Sequence, residues 1–466
     1  MNEERDAIAW EPWAAIVCFV IAAVSLAIGF VFTTRWLLDD HVHPLLHSVG
    51  LVLLIIGIPT IILGGHFMDL SEKKAKRLGI IIVVSVLWLN PGGANAQSPY
   101  TEEASQEQET QQTDPPKWQY GGFVDLAYPL DFNHPGNHLF RNRGTAFHTD
   151  SVWLNMAGAY VRKKPSEASR WGVELTAHAG KDDELFGFSA TAPNITGFKF
   201  LRHLGPTNLS YLVPVGKGLT AQAGIFNSLI GYDSLYAKDN LNYTRPWGAD
   251  FTPYLMMGAN VSYPFSEKLT GTVFLVNGYW HLARANSAPS AGGQVAYKLT
   301  PQVTLKETPL FGTHQRNTAF EFWRFLTDTI AERKTQKLTL ASEYIFSTER
   351  VNAAGKPRAL MMSWQAPARW TFNDRWSLSF RPEVFWDRDG RWTLAKQTVK
   401  ALTSTVEYRH PYKWSNTIFR LEHRFDDSRG PEGGFFRGAE SPSGAIALTP
   451  QQHLLIFATI FTFDSQ

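Results

Sequence analysis

The sequence predicts an exported all-β protein built as a transmembrane antiparallel β-barrel of about 16 strands, with about 14 or 18 as the neighbouring solutions. Three observations lead there. From Lys117 to Phe463 apolar and polar residues alternate in short segments, the period of a strand with two unlike faces. Short turn signals between those segments alternate with longer polar connections. Ahead of them Leu78 to Gln97 reads LGIIIVVSVLWLNPGGANAQ behind Lys73, Lys74, Lys76 and Arg77, the form of a secretory signal peptide cleaved after Ala96.

The totals agree with export. A net charge of +2 over 466 residues leaves no excess of base to lie along a phosphate backbone, so nucleic acid is not expected as a partner. The only cysteine is Cys18, so no disulfide forms within the chain and an exported product must be stable by closure and packing.

Taken in order, Trp13 to Phe32 and Leu45 to Leu63 are apolar runs long enough to cross a bilayer, and they predict a two-helix membrane hairpin over residues 1–67 with both ends in the cytoplasm. Alternatively Met68 is the true start and 1–67 is an upstream in-frame segment. His41, His43 and His47 cluster there, but without a carboxylate set they read as part of a loop rather than a metal site. Residues 68–96 form the signal peptide. Residues 97–116, rich in Gln, Glu, Thr and Ser, form a disordered linker, and 117–466 form the barrel.

Six strand segments show their two faces most clearly. Val152, Leu154, Met156 and Tyr160 oppose Ser151 and Asn155, and Trp171, Val173, Leu175 and Ala177 oppose Glu174, Thr176 and His178. Leu219, Ala221, Ala223 and Ile225 oppose Thr220 and Gln222, while Leu255, Met257, Ala259 and Val261 oppose Asn260 and Ser262. Trp376, Leu378, Phe380 and Val384 oppose Ser377, Ser379, Arg381 and Glu383, and Phe419, Leu421 and Phe425 oppose Arg420, Glu422, Arg424 and Asp426. In a soluble sandwich the apolar face would meet a second sheet; in a membrane barrel it meets lipid. Charges recurring on the other face need water or close partners, which a lumen supplies.

The turns give the count. Short connections fall at Pro165 to Ala168, Val215 to Lys217, Phe265 to Glu267, Thr300 to Pro301, Arg333 to Thr335, Asn373 to Asp374 and Tyr412 to Lys413. With both termini on the short-turn side, seven such turns correspond to about 16 strands.

GGFVDLAYPLDF, DSVWLNMAGAYV, GIFNSLIGYDSLYAKDNLNYTRPWG followed by PYLMMGANVSYPF, and FRLEHRFDDS together resemble the OmpL-like β-barrel porin family. The resemblance covers Trp118 to about Phe463. It implies an outer-membrane location and passive transport of small hydrophilic solutes or ions, with no cofactor and no named substrate. Outer-membrane lipid and the barrel assembly machinery are the partners expected, the latter reading a terminal aromatic. Here Phe461 and Phe463 keep that spacing, although Asp464, Ser465 and Gln466 follow.

Glu174, His178, Arg381, Glu383, Glu407, Arg409, Arg420, Glu422, Arg424 and Asp426 are the candidate pore-lining residues, because all fall on the polar phase. They either set the field felt by solutes in a water-filled pore or pair across strands and stiffen the wall. Tyr232, Asp233, Lys238, Asp239, Arg245 and Trp247 lie in the long connection Leu229 to Thr252, which either folds into the lumen as a constriction or stands over the mouth. Asp387 to Gly390 looks like part of a calcium loop but reads as a turn. The rival functions are a non-conducting barrel serving as adhesin or anchor and a barrel lipid hydrolase. For the hydrolase, His423 on the apolar phase is notable, but no serine motif accompanies it.

Overall fold

In a computed structural model of the chain, residues 118–184, 198–279, 282–283, 286, 288–315, 320–351 and 358–464 are described. The predicted hairpin, signal peptide and linker lie outside them. The strands are β1 (Gln119–Asp131), β2 (Trp153–Lys163), β3 (Trp171–Ala179), β4 (Thr207–Val213), β5 (Leu219–Asn227), β6 (Leu255–Pro264), β7 (Leu269–Val276), β8 (Ser290–Thr300), β9 (Val303–Thr313), β10 (Trp323–Lys334), β11 (Leu338–Glu349), β12 (Ala359–Gln365), β13 (Ala368–Thr371), β14 (Trp376–Asp387), β15 (Gln397–Tyr412), β16 (Ser415–Arg429), β17 (Phe435–Arg437), β18 (Ala447–Thr449) and β19 (Gln451–Asp464).

Strand β1 pairs antiparallel with both β2 and β19, which closes the sheet on itself. β12 and β13 each pair with β11 on one side and β14 on the other, so they are one barrel strand interrupted at Ala366 and Pro367. The interruption has a local cause: neither Pro367 nor Pro382 on the neighbouring strand has an N–H for the ladder. Counting that pair once, and leaving aside the separate β17–β18 hairpin, the barrel has 16 strands.

The phase predicted for β3, β14 and β16 is the phase observed, with apolar side chains exposed on the outside and polar ones buried. On β2 it is not. Asp125 pairs with Met156 while Leu126 pairs with Leu154, so Asn155 is an extra residue, a bulge that shifts the later residues to the other face. Leu154 stays outside, but Met156 shares the inner face with Asp125, and Tyr160 shares that of Gly121. Ile225 departs as well. Beside Gly224 at φ 128° it turns into a buried apolar cluster with Phe123, Met156 and Leu235, and Leu255, predicted for the outer face of β6, is buried in the same cluster.

The outward faces are largely apolar, as contact with hydrocarbon requires, although Glu307 on β9, bonded to Thr327 and Thr329, and His423 on β16 also face outward. Near the short-turn end they carry aromatic pairs, Trp171 with Tyr211, Trp370 with Phe372, Trp376 with Tyr408 and Trp414 with Phe463. Amphipathic rings at one level are the girdle expected where hydrocarbon gives way to water.

Candidate functional site

Residues 228–254 connect β5 to β6, and we call them loop 3. Apart from two short 3-10 turns, Ala237–Asp239 and Ala249–Phe251, the loop has no regular structure. Its backbone therefore has few internal partners, and inside a barrel those groups must be satisfied by the wall. The inward charges do this. Amides donate to carboxylates: Gly231 to Asp328 at 2.7 Å, Tyr232 to Glu343 at 2.7 Å, Tyr243 and Thr244 to Glu422 at 2.5 and 2.9 Å, and Trp247 to Glu383 at 2.6 Å. Carbonyls accept from guanidiniums: Ala237 and Asn240 from Arg420 at 2.7 and 2.8 Å, Leu241 from Arg369 at 2.7 Å, Thr244 from Arg381 at 2.6 Å and Arg245 from Arg424 at 3.1 Å. The wall charges replace water around the loop.

Side chains complete the docking. Tyr232 donates its hydroxyl to Glu332 at 2.8 Å, and Asp233 accepts from Gln365 at 2.8 Å. Trp247 donates its indole N–H to Asp426 at 2.8 Å, and Tyr243 donates its hydroxyl to Asp125 at 3.0 Å. Lys238 pairs with Asp239 inside the loop at 2.7 Å, and Arg245 lies 3.5 Å from Asp182. At Gly248 the fit is close enough that a Cβ would collide with Ser363 Oγ on β12. Of the two placements open from sequence for Leu229 to Thr252, the structure shows the loop inside.

All ten residues predicted to line the lumen have inward positions, but few stand in water. Arg381, Glu383, Glu407, Arg420, Glu422, Arg424 and Asp426 are buried, at 0 to 2% exposure. Of the two arrangements open from sequence, the contacts show these charges paired with one another rather than free along a water-filled wall, and loop 3 covers them besides. Arg420 meets Glu407 at 2.7 Å, Arg424 meets Glu383 and Asp426 at 2.8 Å each, and Arg381 lies 3.5 Å from Glu383. Arg409 is partly open and holds Glu407 at 2.7 Å. Glu174 is half-buried beside Asn208, and His178 is buried between Tyr236 and the carbonyl of Arg202. Buried ion pairs often add little net stability, so their value here is in fixing one position of the loop.

Loop 1 (residues 132–152) and the described parts of loop 2 (residues 180–184 and 198–206) brace loop 3 from the mouth. Arg143 donates to the carbonyl of Arg245 at 2.6 Å, pairs with Asp250 at 2.9 Å and lies 5.0 Å from the centre of the Trp247 ring. Asp182 accepts the amide of Ala146 at 2.8 Å as well as facing Arg245, and Asp183 meets His203 at 3.1 Å. Burial pushes the Asp182 carboxyl up to about 6 against the pull of Arg245, and burial likewise raises Asp183 against its bond to His203.

Sequence reading missed Asp125, Asp182, Asp328, Glu343, Arg143 and Arg369. For the residues on strands the signal was parity along β1, β10, β11 and β13; for Asp182 and Arg143, in loops, no periodic signal exists. Asp387 is the hub of a turn, accepting the amides of Arg391, Trp392 and Thr393 at 3.0, 2.9 and 2.7 Å. His423 faces outward, 3.2 Å from His453.

No curated protein matches the chain. Among solved structures it is similar to the outer membrane channel DcaP of Acinetobacter baumannii, at 8% identity and TM-score 0.49, over 76% of this chain and 99% of that one. OmpT of Vibrio cholerae in its trimer form is similar at 9% identity and TM-score 0.46, over 76% and 100%. An anion-selective porin from Comamonas acidovorans is similar at 10% identity and TM-score 0.44, over 75% and 100%. The model of the family described as beta-barrel porin-2, OmpL-like, matches residues 117–463, the whole of the closed barrel from β1 into β19, and the chain belongs to that family.

Proposed function

We propose that the protein is an outer-membrane porin through which small hydrophilic solutes or ions diffuse passively, with loop 3 as its constriction. The observation that carries this reading is loop 3 itself, held in one position by oriented charges from β10 to β16. A barrel acting only as an anchor or adhesin gives no reason for a polar loop ordered inside its lumen. A hydrolase would need a nucleophile beside its histidine, and His423 has His453 as its bonded neighbour. The N-terminal features fit the same reading, with export by the signal peptide and cleavage after Ala96.

A planar-bilayer recording of the purified barrel tests the proposal. Stable ohmic steps are expected. A folded barrel that gives no steps would favour the anchor.

A further inference from the structure

Towards the short-turn end of the lumen, three guanidiniums meet on one carboxylate. Glu407 on β15 accepts from Arg409 Nε at 2.7 Å on Oε1, and from Arg420 Nε at 2.7 Å and Arg369 Nη2 at 3.3 Å on Oε2. One negative charge therefore answers three positive ones. Residues 237–242 of loop 3, which lie against Arg369 and Arg420, add no net charge, because Lys238 and Asp239 pair with each other. Even with Glu332 of β10 counted in, which accepts the Tyr232 hydroxyl, cations lead.

The three guanidiniums are not used alike. Arg420 spends Nε on Glu407, Nη1 on the carbonyls of Ala237 and Asn242, and Nη2 on that of Asn240. Arg409 donates through Nε alone, and Arg369 through Nε to Ser379 and through Nη2 to Glu407 and the carbonyls of Asn240 and Leu241. Among the described residues, both Nη groups of Arg409 and Nη1 of Arg369 thus have no acceptor. They are open to solvent, whereas Nη1 of Arg143 and Nε of Arg381 are buried without a partner. The Arg409 and Arg369 side chains are 15% and 13% exposed, and both lie on the inner phase, Arg409 two residues from Glu407 and Arg369 opposite Ser379.

We propose, resting on the porin reading, that Arg409 and Arg369 form a binding station for small oxyanions, carboxylate or phosphate, on the short-turn side of loop 3. A guanidinium presents paired N–H groups in a planar fork that matches two oxygens of an oxyanion. Glu407 takes only Nε of Arg409, so the edge formed by its two Nη groups is intact, and the same carboxylate holds Arg369 beside it. The charge left over from Glu407 acts in surroundings less polar than bulk water, where attraction is stronger than at an exposed surface. Partial exposure lets the anion leave again, as passage requires.

The test titrates inorganic phosphate and acetate into the purified barrel in detergent, reading bound anion by phosphorus NMR line broadening and by saturation transfer, respectively. The same material is recorded in a planar bilayer under a KCl gradient. Wild type is compared with Arg409→Gln and with Arg409→Lys, which keeps the charge without the fork, each confirmed as folded by heat-modifiable migration. We expect saturable binding to wild type, weakened about tenfold in Arg409→Gln and kept in part by Arg409→Lys, with the reversal potential of Arg409→Gln moved toward cations. The anion that binds more tightly identifies the solute class. No saturable binding of either anion by wild type, or equal binding by wild type and Arg409→Gln, overturns the station. A conducting Arg409→Gln channel with the wild-type reversal potential overturns its place on the solute path. Binding that depends on Arg409 in a barrel that never conducts removes the porin reading and leaves the station standing.

Discussion

Replacing Glu422 by Ala removes the acceptor shared by the amides of Tyr243 and Thr244 and the hydroxyl of Thr244. Thr405 loses its acceptor as well and keeps only the donor Asn242. Tyr243 and Thr244 are buried and no water can replace the carboxylate without room being made, so both amides are left unpaired. Each unpaired buried group costs about 1–3 kcal/mol, so two amides weaken this part of the dock by on the order of 2–6 kcal/mol. At 1.4 kcal/mol per factor of ten, that is roughly 30-fold to 10⁴-fold in the equilibrium between docked and released segment. The other anchors, Asp328, Glu343, Glu383 and Arg420, remain, so release should be local to residues 242–246. Hydrogen exchange followed by mass spectrometry on the folded variant should show protection lost over that peptide and kept around Gly231, with trypsin gaining access to Arg245. Unchanged protection at Tyr243 and Thr244 would refute the claim that Glu422 holds the loop.

Further outcomes follow from the same contacts. Changing both Arg420 and Arg424 to Glu places carboxylates against loop carbonyls, so single-channel conductance should change strongly; a shift of reversal potential alone, at wild-type conductance, would mean that these arginines face open water after all. The raised carboxyls of Asp182 and Asp183 give a pH dependence whose sign is set by burial. The packed state binds these protons more tightly than an opened loop does, so packing of loop 2 on loop 1 is strongest below the usual carboxylate value of 3.8 and weakens as pH rises through about 6. Exchange at residues 181–184 and 146–148, corrected for intrinsic rate, should therefore rise between pH 4 and pH 7, since raising Asp182 from 3.8 to about 6 corresponds to on the order of 3 kcal/mol. A flat profile would count against it, and Asp182→Asn should remove part of the slope. Outer-membrane material should begin at Gln97 by N-terminal sequencing and run faster unheated than boiled; a mature chain beginning at Met1 would remove the signal-peptide assignment.

The barrel was legible because closure and burial act on every strand alike. A lumen that differs from lipid enforces period two, so parity alone placed Arg381, Glu383, Arg420 and Glu422 inside, and the seven short turns counted the strands correctly. Parity failed where one residue was inserted, because nothing in the composition around Asn155 marks a bulge. The site was legible in its parts and not in its assembly. Charges on β14 to β16 and polar backbone in Leu229 to Thr252 were both visible, but which charge meets which amide, as when Glu422 meets Thr244 across 178 positions, depends on contacts that no local pattern encodes. A row of charges on one face needs water or close partners. It has a loop in place of water.

Loop 3, held by the charged wall of β10 to β16, is the element proposed to limit passage through the lumen. Replacing residues 234–246 by a short Gly-Ser linker and recording single channels tests it most directly. A heat-modifiable barrel with conductance several-fold above wild type is predicted. An equally well-folded barrel with unchanged conductance would contradict it.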